Sequence, residues 1–143
     1  MYDTPNLGLA EALHGLEAAL REAEKDAAEG RPVVIAIADH KGELICYARQ
    51  DCCLEMSKDQ AVRKAYTSAI GRRDSGDYAD YIKRQTGRDI ETSIGMRGTS
   101  GRGGVVIKRS SDGVCLGGVG VSGATTAPRD EEIARVGIKA MGV

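Results

Sequence analysis

The sequence predicts an α+β fold with a mainly antiparallel sheet. Three observations carry this: a β-rich apolar run at 33–38 with a return run at 43–49, a second such pair at 105–108 and 114–122, and helically spaced apolar residues flanking both. The most specific stretch is Gly117-Gly118-Val119-Gly120-Val121-Ser122-Gly123, a strand pattern that glycine keeps interrupting. Glycine weakens a strand through lost packing and a larger entropy loss. Several together therefore imply that a ligand or a facing helix approaches the backbone closely.

Taken in order, Thr4 or Asn6 is the expected cap of a first helix, with Pro5 near its first turn. Leu9, Leu13, Leu16, Leu20, Ala23 and Ala27 form its apolar stripe, and Gly30 and Pro32 end it. Residues 33–38 are apolar at successive positions and read as an inner strand, paired with Glu43–Arg49 through the turn Asp39-His40-Lys41-Gly42. Ser57 with Gln60 makes a capping box for a helix whose Ala61, Ala65, Ala69 and Ile70 offer a narrow face for close packing. A shorter helix is expected over residues 75–86, carrying Tyr78, Tyr81 and Ile82 and stopped by Gly87. Residues 95–104 are too rich in glycine for a regular element and read as a mobile loop bearing two arginines. The second hairpin turns at Ser110-Ser111-Asp112-Gly113. The last helix runs from Pro128 to Met141, with acids in its first turn and Lys139 in its last, matching the macrodipole.

The chain has 143 residues and a formal net charge of −1. That length suits one compact domain spanning 1–143, and the charge balance argues against nucleic acid or an anionic membrane as partner. The longest apolar run, Val33 to Ala38, is too short to span a bilayer, and the N-terminus lacks the basic start and apolar core of a signal peptide, so a cytoplasmic protein is expected. Cys46, Cys52, Cys53 and Cys115 lack the C-x-x-C spacing and nearby histidine of a zinc site. With five Tyr and neither Phe nor Trp, any pocket must be aliphatic, polar or lined by Tyr.

An alanine-rich helix precedes the strand Pro32-Val33-Val34-Ile35-Ala36-Ile37-Ala38-Asp39, whose Asp stands before a glycine turn. Arg49-Gln50-Asp51 follows, then Ser57 and Ala61-Val62-Arg63-Lys64-Ala65. The glycine-led hairpin ends at Gly117–Gly123 before a helix opening with acids at Asp130. In order and spacing these motifs resemble the GlcG/HbpS family, also described as haem-degrading or DUF336, which includes the C-terminal domain of PduO-type proteins. The resemblance covers most of the chain. It implies a profilin-like fold, an antiparallel sheet of about five strands flanked by helices, assembly into homo-oligomers, and binding of haem or a related tetrapyrrole. Two departures stand out: Gly103-Gly104-Val105 lacks a proline common after those glycines, and His40 occupies a turn where small residues are commoner.

Some haem-binding relatives place a histidine on the first helix, which makes His14 the candidate iron ligand. At about 100° per residue it lies off the Leu13, Leu16, Leu20 stripe, facing solvent, a groove or another subunit. The plain alternative is an ordinary exposed histidine. His40 beside Asp39 is a candidate for proton transfer, or the Asp shapes its own turn beside a surface histidine. Arg97 and Arg102 suit carboxylates, whether haem propionates or a small organic acid, or they are simply solvated. Lys64, Arg49 and Asp51 either line one cleft or form a structural ion pair. Ser122 lacks the Gly-x-Ser-x-Gly elbow of a hydrolase nucleophile. Two functions follow as expectations: a homo-oligomeric protein binding a small anionic ligand, with haem or a related tetrapyrrole first, or a cofactor-free lyase, isomerase or hydrolase. In the second, His40 or Lys64 is the base for a small carboxylated catabolic intermediate.

Overall fold

The computed structural model describes residues Met1–Val143. Its elements run α1 (Leu9–Glu22), α2 (Glu24–Ala28), β1 (Val34–Asp39), β2 (Leu44–Arg49), α3 (Glu55–Gly71), α4 (Ser75–Thr86), α5 (Ile90–Ile94), β3 (Gly104–Lys108), β4 (Cys115–Ser122) and α6 (Ala127–Met141). The strands form one antiparallel sheet in the order β2-β1-β4-β3, so both expected hairpins are present and meet along β1 and β4. β1 is apolar from Val34 to Ala38 because both its faces are covered there. Val33, Ile35 and Ile37 pack with Leu16, Ala19, Ile133 and Met141 from α1 and α6, while Val34, Ala36 and Ala38 pack with Ala61 and Ala65 of α3.

The glycines of β4 are explained by the facing helix. A Cβ on Gly120 would fall on the carbonyl oxygen of Ala61 and 2.5 Å from the nitrogen of Ala65; one on Gly118 would sit 2.6 Å from the carbonyl oxygen of Ala65. Helix α3 thus rests backbone on backbone against the sheet. Its alanine face is what allows that approach.

The sheet has four strands rather than about five. The β3 edge is closed by side chains at the start of α4: Ser75 Oγ accepts the N–H of Gly104 at 3.0 Å, and Asp74 Oδ1 accepts that of Val106 at 3.2 Å. Capping an edge in this way satisfies its backbone and blocks further pairing. The chain before that edge forms α5, a short helix not anticipated from the sequence, and then the glycine loop.

Three local expectations are also corrected. The first helix breaks at Ala23 into α1 and α2, and Gly8 rather than Thr4 or Asn6 is its N-cap. Helix α3 begins at Glu55, two residues before the expected box, so Ser57 is buried inside the first turn, where Lys58 pairs with Glu55 at 2.6 Å. The largest difference is the rotation of α1. Its buried residues are Ala12, Gly15, Leu16 and Ala19, leaving Leu9 and Leu13 58% and 41% exposed. The cause is a close crossing with α6, where a Cβ on Gly137 would lie 2.8 Å from the carbonyl oxygen of Gly15. Only the small-residue side of α1 fits there. Arg129 holds the same corner, reaching Asp26 Oδ2 at 2.9 Å and Glu22 Oε1 at 3.0 Å.

Gly120→Ala is expected to force α3 off the sheet and to destabilise the protein by about 3 kcal/mol. Urea unfolding measures this, and stability equal to wild type would contradict the backbone contact.

Candidate functional site

Lys64 is the most enclosed of the candidate residues, 6% exposed in the middle of α3. Its Nζ donates to the carbonyl oxygen of Val121 at 2.8 Å and to Asp130 Oδ2 at 3.3 Å, while Asp130 Oδ1 accepts the N–H of Ala124 at 3.0 Å. The loop seals this pair: a Cβ on Gly103 would stand 2.8 Å from Nζ. Burial pushes the Lys64 ammonium below the usual lysine range, with Asp130 opposing the shift. It likewise pushes the Asp130 carboxyl above the usual carboxylate range against the pull of Lys64. The structural ion pair expected of Lys64 is therefore made with Asp130, not with Asp51. Asp130 lies 66 positions away, and only its place at the start of the last helix marked it in the sequence.

The other candidates lie apart. Asp39 Oδ1 accepts the N–H groups of Lys41 at 2.9 Å and Glu43 at 3.0 Å, which shapes the turn, while His40 Nδ1 lies 2.9 Å from Asn6 Oδ1. His40 lines a cleft of about 310 Å³ with Arg72, Lys108 and Cys115. Arg49 is exposed and lines a cleft of about 290 Å³ with Asp51, Cys52, Cys53 and Lys58. Burial alone raises the Cys46 thiol, and it is the main cause raising Cys115.

Both loop arginines are already paired. Arg97 lies over the Tyr66 ring, 4.1 Å from its centroid, and reaches Glu43 Oε1 at 3.4 Å. Arg102 binds Asp80 Oδ2 at 2.6 Å. The loop expected to be mobile is tethered to α3 and α4: Arg63 Nη2 donates to the carbonyl oxygen of Gly98 at 2.6 Å, Thr67 Oγ1 accepts the N–H of Thr99 at 3.0 Å, and Ser75 Oγ donates to the carbonyl oxygen of Gly101 at 2.9 Å.

His14 is exposed on α1, with Ala10 and Ala18 one turn to either side and the exposed Leu13 and Leu9 about 100° and 140° round the helix. It lines none of the three clefts. No group of three or more His, Cys, Asp or Glu side chains is arranged to hold a metal ion. The six candidates therefore do not converge on one cleft. What the outer surface of α1 offers is a single exposed imidazole, with the exposed Leu9 and Leu13 further round the same helix.

A four-stranded antiparallel sheet with paired helices on one face and a single close-packed helix on the other defines the class. The chain belongs to the HbpS-like family, whose model, described as haem degrading protein HbpS-like, matches residues 7–139. It is 36% identical over 90 residues to GlcG of Escherichia coli K12, a match spanning 63% of this chain and 63% of the length of that curated relative. A double mutant of HbpS from Streptomyces reticuli superposes with a TM-score of 0.82 at 27% identity, covering 97% of this chain and 89% of that one. The PduOC:heme complex superposes with a TM-score of 0.80 at 25% identity, covering 94% of each chain. No helix is long and apolar enough to cross a membrane.

Removing Lys64 leaves a buried carboxylate without its partner. Lys64→Met is expected to cost about 3–5 kcal/mol. Combining it with Asp130→Asn, which keeps an acceptor for Ala124 and removes the orphaned charge, is expected to recover at least about 1 kcal/mol. A urea double-mutant cycle measures the coupling, and strictly additive losses would show that the two groups act independently.

Proposed function

We propose that this protein binds haem or a related tetrapyrrole on the outer face of α1, with His14 as the iron ligand. The observation that carries this reading is the exposed imidazole of His14 on a helix whose Leu9 and Leu13 the close α1–α6 crossing also keeps out of the core. The donor set fits the group. His14 would hold the iron through its imidazole, and aliphatic side chains would suit the macrocycle. The family description and the similarity to the PduOC:heme complex support the same class of ligand. When bound, haem would supply redox chemistry; the part of this chain is to present the His14 imidazole from a packed helix.

His14 lines none of the clefts of a single copy, so a second copy of the chain is the natural cover for that face, giving a homo-oligomer. The proposed unit is one HbpS-like domain over 1–143. Arg97 and Arg102 can serve propionates only by exchanging Glu43 and Asp80 for them. The enzyme reading draws less support. Lys64 as a base is enclosed and engaged, and His40 opens on a cleft that neither Arg97 nor Arg102, the carboxylate holders of that reading, lines.

Titration with haemin is expected to give a ferric spectrum typical of histidine ligation, with His14→Ala losing those bands and binding at least about tenfold more weakly. Melting temperature should be unchanged in the variant, because the position is exposed. A wild-type spectrum from His14→Ala would remove the assignment, and His40→Ala serves as the silent control.

A further inference from the structure

The largest cleft, about 480 Å³, lies between the β3 edge and the last turns of α6, away from His14. Lys108, Arg135 and Lys139 line it over the apolar Val106 and Ile138. Its one acid, Asp74, is already engaged: Oδ1 holds the N–H of Val106 at 3.2 Å and Oδ2 pairs with Arg135 Nη2 at 2.7 Å. Neither Lys108 nor Lys139 pairs with a carboxylate. Lys108 also lines the neighbouring cleft of about 310 Å³, which adds Arg72 and His40 beside Val114. A chain of formal net charge −1 thus gathers four permanent cations around two adjoining hollows with a single carboxylate among them.

Isolated surface lysines are ordinary and solvated. These differ in lining concavities with apolar floors, the composition of a small-molecule site. The backbone argues for carboxylate over phosphate. A phosphate cradle needs free N–H groups, yet the outward N–H groups of Gly104 and Val106 are taken by Ser75 and Asp74, and that of Val114 by Asp112.

We propose that this double cleft is a second binding site, for a small organic anion with an apolar body and two carboxylates, one held by Lys108 and the other by Arg135 and Lys139. The site is independent of the reading of His14. Arg135 keeps its contact to Asp74 through Nη2 and offers the rest of its guanidinium to the ligand, while Lys108 stands where the two hollows join.

Calorimetry at fixed ionic strength with benzene-1,4-dicarboxylate, benzoate and the uncharged benzene-1,4-dicarboxamide tests it. The dicarboxylate is expected to bind at least about tenfold more tightly than benzoate, and the diamide not at all. Lys108→Gln and Lys139→Gln should each weaken the dicarboxylate by about tenfold at unchanged melting temperature, since both side chains are exposed, whereas Arg21→Gln on α1 should have no effect. His14→Ala should bind the dicarboxylate as wild type does, whatever its response to haemin. The proposal is overturned if wild type ignores millimolar dicarboxylate, if the diamide binds equally, if both lysine variants match wild type, or if His14→Ala abolishes dicarboxylate binding.

Discussion

Everything in this molecule depends on how near α3 comes to β4. Two backbones meet where Gly118 and Gly120 face Ala61 and Ala65, with no room for a methyl group on either glycine. That distance puts Lys64 within reach of the Val121 carbonyl oxygen and lets Thr67 and Arg63 hold the glycine loop. A wider gap would leave a buried ammonium without acceptors, which is far costlier than a lost contact. The glycines and the buried lysine are therefore parts of one device. No buried polar side-chain atom is left without a partner.

A second close crossing shapes the outer surface. Gly15 and Gly137 bring α1 and α6 together, and Arg129 fastens the corner through Glu22 and Asp26. Because the small side of α1 is consumed by that contact, its leucines at 9 and 13 and its histidine are turned outward. Membership of the HbpS-like family gives this outward face its interest. Exposed leucines and an imidazole on one helix are of little use to a core, but they suit an apolar ligand or a second subunit.

Charge is divided on the same plan. Lys64, Arg97, Arg102 and Arg129 each have an acid within the fold, whereas Lys108 and Lys139 have none. Cations paired with acids of the fold hold elements together; those left facing a hollow are available to a ligand. Residue type alone did not separate the two groups, since an arginine on a glycine loop looks more accessible than a lysine at a strand end.

The sequence by itself determined the longer helices, the two hairpins and their turns, because periodicity, glycine stops and Asx turns act over a few residues, as Asp39 does at its own turn. It also carried the family, through the spacing of motifs that together span most of the chain. It predicted a close partner for β4 without saying whether this was helix or ligand. Tertiary structure alone decided that α1 buries Ala12 and Gly15 in place of Leu9 and Leu13, that Asp74 and Ser75 close the β3 edge, and that Lys64 meets Asp130 rather than Asp51. Each of those outcomes joins groups dozens of residues apart, and at such separations the local pattern has no memory: which face of a helix is buried, and which acid meets which base, is set by how closely two backbones pack.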